Sequence, residues 1–209
     1  MKERPILFNG EMVRAVLDGR KTQTRRVVKN KRMEFVGGRG CLDDPESWGF
    51  EDEHGVFHCL PARGKAPSRD DINPPYGVPG DRLWVRETWR GGNDTLESVF
   101  YRADDLLPST PVYQNINVKW KPSIHMPRWA SRILLEITDI RVERVQDISA
   151  GDANAEGISS INDKGDLITK TYLDPVGEFK NLWNSISEAK GFGWNMNPWV
   201  WVVEFKEIK

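Results

Sequence analysis

The densest chemistry in the sequence lies in Gly19-Arg20-Lys21-Thr22-Gln23-Thr24-Arg25-Arg26, where four cations and two hydroxyls share seven residues. Like charges this close repel, so stability alone does not account for the segment. Three uses fit it. A solvated basic edge strand is the plainest. A phosphate-gripping surface is the second, since Lys, Arg and Thr all contact phosphates. The third is catalytic. A threonine hydroxyl is a poor nucleophile unless a base stands beside it, and a lysine is that base only when neutral. Arg20, Arg25 and Arg26 would push the Lys21 pKa down, as would burial. Lys21 and Thr24 differ in strand parity, so both face one cleft only if the chain turns or bulges between them.

Other chemistries have no motif here. The sequence contains no G-x-x-x-x-G-K-[ST] phosphate loop, no G-x-G-x-x-G dinucleotide turn and no G-x-S-x-G elbow. The H-x-E and P-C-x-x-C pattern of zinc deaminases is missing too. Cys41, His54, His58 and Cys59 are the only grouping with a metal-like flavour. The adjacent His58-Cys59 suits one tetrahedral ion badly and the first Cys pair of a finger is lacking, so ordinary loop residues are expected. Neither a metal nor an organic cofactor is expected.

The elements that must position the basic segment follow from pattern. Ile6-Leu7-Phe8 is a short strand, and Asn9-Gly10 turns into a helix with Met12, Val13, Val16 and Leu17 on one face. Gly19 stands where a helix C-cap glycine belongs. Residues 33–78 form a long inserted loop carrying a hairpin, and residues 90–122 form a second with a short strand at Val99-Phe100-Tyr101. Between them Pro79-Gly80-Asp81 turns into a strand over 82–89. Ile133, Leu135 and Ile137 alternate as a strand, and Ile140 and Val142 resume after a register break at Asp139.

Ser149 and Asp152 form a capping box for a short helix that stops at Gly157. Asp174-Pro175 opens a longer helix with Val176, Phe179, Leu182, Trp183 and Ile186 as its apolar stripe. The chain then runs into Trp199-Val200-Trp201-Val202-Val203-Glu204-Phe205, apolar on both faces like a central strand. The fold class expected is α+β: a small mixed β-barrel with flanking helices, in a single domain over 1–209.

Composition bounds the rest. The 209 residues are 38% hydrophobic and 29% charged, enough for a sizeable core, and a net charge of −1 gives no global basic field. Residues 1–32 nevertheless hold ten bases against three acids, and residues 41–55 hold six acids and no base. No run suits a membrane helix, the first residues lack the apolar stretch of a signal peptide, and two cysteines make no disulfide framework. A cytoplasmic protein without a membrane partner is expected, with a monomer as the default. Nine tryptophans supply flat surfaces for a core or for a ring-shaped ligand.

The order helix, G-R-K-T-x-T-x-R, G-D-x-L strand and V-V-E-F strand resembles the ASCH superfamily, a branch of the PUA-like barrels. Residues 79–88 (PGDRLWVRET) and 124–132 (IHMPRWASR) are similar to the long phage, prophage and metagenomic members over nearly the whole chain. The resemblance implies the PUA-like barrel. It also implies the activity of a smaller bacterial branch, whose amidohydrolases remove the acyl group from N(4)-acetylcytidine with a Lys, a Thr three residues on and a distant Glu. Carried over, these are Lys21, Thr24 and Glu156. Glu156 is supported separately, because an acid in the last turn of a helix opposes the macrodipole by about 0.3–1 kcal/mol.

The resemblance implies an acylated cytidine nucleoside as small-molecule substrate, attacked by a Lys-activated Thr24 or by a Lys-activated water. Phe8, Trp89, Tyr101 and Trp129 are candidates to stack on the base; Arg26, Arg86, His125 and Arg128 are candidates to contact base or ribose. Glu87 is the competing carboxylate: it shares parity with Leu83 and Val85 and points inward, to pair with an arginine or to line the pocket. Arg25 departs from the small amidohydrolases, which carry an apolar residue there, and both inserted loops are longer than theirs. A non-catalytic RNA-binding module, or a ribonuclease of the superfamily using the same basic cleft, is the alternative function.

Overall fold

The computed structural model describes residues 1–29, 34–35, 45–51, 57–61, 72–91, 99–104, 119–158 and 174–208. Cys41 and His54, and most of the acidic stretch over 41–55, lie outside them. In chain order the elements are β1 (Glu3–Leu7), α1 (Gly10–Leu17), β2 (Gln23–Val27), β3 (Glu34–Phe35), β4 (Trp48–Glu51), β5 (Phe57–Cys59), β6 (Arg82–Arg86), β7 (Trp89–Gly91), β8 (Val99–Tyr101), β9 (Leu134–Arg144), α2 (Ala150–Ala155), α3 (Pro175–Ser187) and β10 (Trp199–Ile208). The fold is α+β.

Five strands form the main sheet in the order β1-β6-β9-β10-β2; β1 and β6 run parallel and the other neighbours antiparallel. Among the described residues β1 and β2 do not pair, so the sheet is open by hydrogen bonding. It curls all the same. Arg26 on one edge strand donates from Nη2 to the Leu7 carbonyl on the other at 2.8 Å, and Phe8 packs on Phe205 with ring centroids 6.1 Å apart. The expected hairpin within 33–78 is a three-stranded sheet, β3-β4-β5. The strand expected over 82–89 stops at Arg86, because Trp89 leaves the main sheet to pair with Tyr101 in the β7-β8 ribbon.

The last strand is apolar on both faces because it serves two cores. Trp199, Trp201, Val203 and Phe205 pack with Ile6, Val13, Val16, Leu83 and Val85 on one side. Val200 and Val202 face the other way, against Val145, Ile148, Ala153, Phe179 and Trp183 beneath the helices. The register break expected at Asp139 is a bulge: Glu204 pairs with Asp139, but Phe205 pairs with Ile137. The extra residue lets Ile140 and Val142 share a core with Leu135 and Ile137 despite opposite parity. Turning either pair to solvent would forfeit about 1.5–3 kcal/mol per side chain, which is why the bulge persists.

Capping agrees with the sequence in detail. Asn9 accepts from Met12 N at 2.8 Å, Ser149 and Asp152 complete their capping box, and Asp174 caps α3 with Pro175 at its first position. Among the described residues no helix is long and apolar enough to cross a membrane, and no cluster of His, Cys, Asp or Glu has the makings of a metal site. His58 lies on β5, stacked on Phe50 with centroids 5.3 Å apart.

Asp81, in the turn before β6, ties the chain start to the sheet: it accepts from Lys2 N at 2.7 Å and from Arg4 Nη1 at 2.8 Å. The Lys2 amide and, against the opposing effect of burial, the Arg4 guanidinium hold its carboxyl below the usual range. A carboxyl depressed in the folded state contributes stability above its unfolded pKa of about 3.9, and that contribution is lost as pH falls through the folded value. Asp81→Ala should therefore cost about 1–3 kcal/mol at pH 7 in urea unfolding, with the gap to wild type narrowing in acid below about pH 4.

Candidate active site

The site is assembled by the ends of two helices and the start of an edge strand. After α1 the chain reverses at Gly19, whose φ is 72°, and the amides of Arg20 and Lys21 both donate to the Ala15 carbonyl at 2.8 Å. Thr22 N then donates to the Ala155 carbonyl and Thr22 O accepts from Phe205 N, each at 2.8 Å. Lys21 is thereby held in an isolated antiparallel bridge with Glu156, before β2 begins at Gln23. The turn falls at Asp18–Gly19, before Lys21; between Lys21 and Thr24 the chain neither turns nor bulges, and Lys21 does not share the cavity that Thr24 lines.

Glu156 reaches the bridge because α2 ends on it as C-cap and the chain leaves through Gly157 at φ 89°. A Cβ at 157 would lie 2.8 Å from Ala15 Cβ and 3.1 Å from Lys21 Cβ. Only glycine allows both the positive φ and that approach. Lys21 Nζ donates to Oε2 of Glu156 and to its backbone carbonyl, both at 2.8 Å, across 135 residues of sequence. The side chains are 0% and 4% exposed. The Phe8 ring lies 5.6 Å from Nζ, within cation–π range. Burial holds the Lys21 ammonium below its ordinary pKa; Glu156 pulls it back up, and Arg26 and Arg25 push it down.

Arg25 and a ring of carboxylates surround this pair. Arg25 Nη1 lies 3.4 Å from Glu156 Oε1, while Nη2 lies 3.1 Å from Glu143 and 3.5 Å from Asp152. Arg141 ties Glu143, Asp139, Asp152 and Glu204 together behind them. Gln23 adds hydrogen bonds to Asp152 O and Oδ1 at 2.9 and 3.2 Å. Burial raises the Asp152 carboxyl, but the Ser149 hydrogen bonds, Arg25 and Gln23 outweigh it and leave the pKa lowered.

A cavity of about 150 Å³ opens beside this network. Thr24, Arg25, Arg26 and Glu156 form its polar wall; Phe179, Leu182, Trp183 and Ile186 of α3 form the apolar wall, with Tyr76, Lys29 and Lys190 also lining it. The structure therefore brings together Thr24, Arg26 and Glu156 at one cavity, with Lys21 directly behind Glu156. It does not bond Lys21 to Thr24: both hydrogen bonds of Nζ among the described residues go to Glu156. Phe8 is 2% exposed and belongs to the core, so it supports Lys21 and Arg26 from beneath and is not open for a base to stack on.

The remaining candidates gather elsewhere. Arg86 donates to the carbonyls of Met126 and Ile124 and lies over Trp84, while His125 is exposed in the short turn that this arginine holds. Trp89 meets Trp129 edge-on with centroids 5.9 Å apart. Arg128 pairs with Glu3 at 2.8 Å, and Tyr101 donates to the Ala130 carbonyl. Glu87 is buried and does pair with an arginine, Arg132, at 2.9 Å. Burial raises its pKa, with Arg132 opposing. It lines a second cavity of about 680 Å³ with Arg14, Thr88, Arg102 and Trp120. That cavity is larger, but none of Lys21, Thr24 and Glu156 lines it, so chemistry and not size selects the first.

Sequence reasoning missed the α3 wall. Its stripe reads only as apolar in the sequence; Phe179 and Trp183 are buried, Val176 packs against their cluster, and the half-buried Leu182 and Ile186 line the cavity. Tyr76, inside a stretch read as loop, carried no signal of its own. No family model matches the chain, and no curated protein and no solved structure matches it.

The pair is asymmetric in a way that stability can reveal. Glu156 has a second cation in Arg25, whereas Lys21 has Glu156 as its one carboxylate partner among the described residues. Removing one member of a buried pair costs about 3–5 kcal/mol when the other is left uncompensated. Glu156→Ala should approach that cost at pH 7, and Lys21→Met should cost clearly less, measured by chemical denaturation.

Proposed function

We propose that this chain is an amidohydrolase that removes the acyl group from N(4)-acylated cytidine, giving cytidine and a carboxylate, on a PUA-like fold of the ASCH superfamily. One observation carries the reading: a buried lysine held by a glutamate from a distant helix end, with Thr24 beside that glutamate on one cavity wall. The curl of the five-stranded sheet, drawn together by Arg26 and Leu7, favours the PUA-like assignment.

Lys21 has three N–H bonds when charged and uses two of them on Glu156. Burial among Arg25 and Arg26 favours loss of a proton, which is what a general base near neutrality needs. Neutral Lys21 takes the proton of Thr24 Oγ as that oxygen attacks the acyl carbonyl. Lys21 returns the proton to the exocyclic nitrogen as the C–N bond breaks and cytidine leaves. A water then gives its proton to Lys21, its oxygen adds to the acyl-Thr24 ester, and the acid departs as Thr24 regains its hydrogen. Direct attack by a Lys-activated water reaches the same products without the ester. Mass spectrometry of quenched reactions separates the two, because only the first adds the acyl mass to the protein.

A cavity of about 150 Å³ is below the ~300–1,000 Å³ of sites that swallow a whole ligand. It suits one ring or one acyl group held against Phe179 and Trp183, with the rest of the nucleoside at the mouth. Lys29 and Lys190 are exposed at that mouth and have no carboxylate partner among the described residues, which is the observation that favours the RNA-binding alternative.

Ultraviolet spectra during incubation with N(4)-acetylcytidine separate these readings. Wild type should convert it to cytidine at a rate nearly independent of salt, and Lys21→Ala should lose about 10²–10⁴-fold. Failure of the folded wild type to convert it or a bulkier acyl analogue would overturn the hydrolase. RNA binding that weakens steeply with salt would then support the alternative.

A further inference from the structure

Arg25 is fully buried, at 0% side-chain exposure, with its guanidinium 5.9 Å from the Phe179 ring. Burying a guanidinium is expensive, and as mere packing between β2 and α3 an apolar side chain would serve better. Its planar fork does what an apolar residue cannot. One nitrogen reaches Oε1 of Glu156 at 3.4 Å, while the other is held by Glu143 at 3.1 Å and Asp152 at 3.5 Å. The other oxygen of Glu156 is the one that holds Lys21. The carboxylate is therefore gripped by both oxygens, one cation on each, and cannot turn without breaking one contact.

We propose that Arg25 is a positioning residue. It holds Oε1 of Glu156 so that Oε2 keeps the Lys21 amine behind the cavity wall that carries Thr24, and Glu143 sets the strength of that hold by competing for the same guanidinium. The inference rests on the reading that neutral Lys21 is the base.

The charges around the pair fix the signs. Lys21 faces Glu156 from the end of α2, Arg25 and Arg26 from β2, and the Phe8 ring. Arg25 faces Glu156 and Asp152 from α2, Glu143 from β9 and the Phe179 ring from α3; Arg141 stands behind Glu143 and Asp152 and also holds Asp139 and Glu204. Removing Arg25 deletes a cation near Lys21 and frees both oxygens of Glu156 for the ammonium. It also leaves Glu143 and Asp152 less compensated. All of these favour protonated Lys21, so the neutral base appears only at higher pH. Removing the charge of Glu143 does the reverse: one anion is lost, and Arg25 is released towards Glu156.

The test is the pH dependence of kcat and KM on N(4)-acetylcytidine for wild type, Arg25→Met, Arg25→Lys and Glu143→Gln. In Arg25→Met the acid limb of kcat should move up by about one pH unit, so kcat on that limb falls about tenfold while KM stays within roughly threefold. Arg25→Lys keeps the charge and should leave the limb close to that of wild type, with a reduced kcat because the fork is gone. Glu143→Gln should move the limb the other way, to lower pH. A purely structural arginine would leave both limbs where they are or shift them together, and either result overturns the proposal. So does a loss confined to KM, which would place Arg25 on the substrate. If Arg25→Met does not fold, the opposite shift in Glu143→Gln and the retained limb in Arg25→Lys still decide. Turnover by wild type with unmoved limbs sinks this inference alone, whereas absence of wild-type turnover sinks the base reading and this inference with it.

Discussion

The structure turns on two opposite charges, Lys21 and Glu156, placed where almost no water reaches them. Taking a pair of ions out of water costs several kcal/mol per ion, and their attraction offsets that only in good geometry with the remaining hydrogen bonds made. The chain meets those conditions from three directions. The end of α1 delivers Lys21 through paired amides on Ala15, the end of α2 delivers Glu156, and Gly157 lets the two backbones approach. Arg25, Glu143, Asp152 and Arg141 then surround the pair with linked ion pairs from β2, β9 and α2, which leave the Arg25 Nε without a hydrogen-bond partner. So elaborate a burial is a poor way to gain stability and a good way to tune a proton.

That pair also explains the position of the site in the fold. β2 is an edge strand, paired only with β10 among the described residues, so one of its margins is free to meet a helix end and a cavity. β10 carries two cores on opposite faces, which fixes β2 firmly although it lies at the margin. Thr24 is opposite Val203 in that pairing and Arg25 opposite Val202. Thr24 and Arg25 are thus registered against the buried stretch Trp199–Val203 of β10, and α3 closes the opposite wall. The cavity lies between a strand registered on β10 and the apolar face of α3.

Much of this was legible because it depends on local chemistry. Asn9, Ser149 with Asp152, and Asp174-Pro175 each announce a helix start, and the structure caps the helices there. The opposing parities around Asp139 announced a bulge, and the β9–β10 pairing carries it. What depends on distant partners was not legible. Phe8 has the type and position of a stacking residue, but Phe205 and the two cations above it bury it. Trp89 looks like a continuation of β6 until Tyr101 draws it into another sheet. Arg25 stood out in the sequence as a cation among cations; only the fold shows that three carboxylates from 118 or more residues away converge on it.

The account stands or falls on the protonation of one amine. Selective isotope labelling of lysine and NMR titration of the Lys21 side chain, beside the pH profile of kcat/KM on the same protein, measures it directly. The account predicts that Lys21 titrates below the exposed lysines and that its midpoint coincides with the acid limb of activity. A Lys21 that stays charged across the active range would contradict it and leave the Lys21–Glu156 pair as a structural tie.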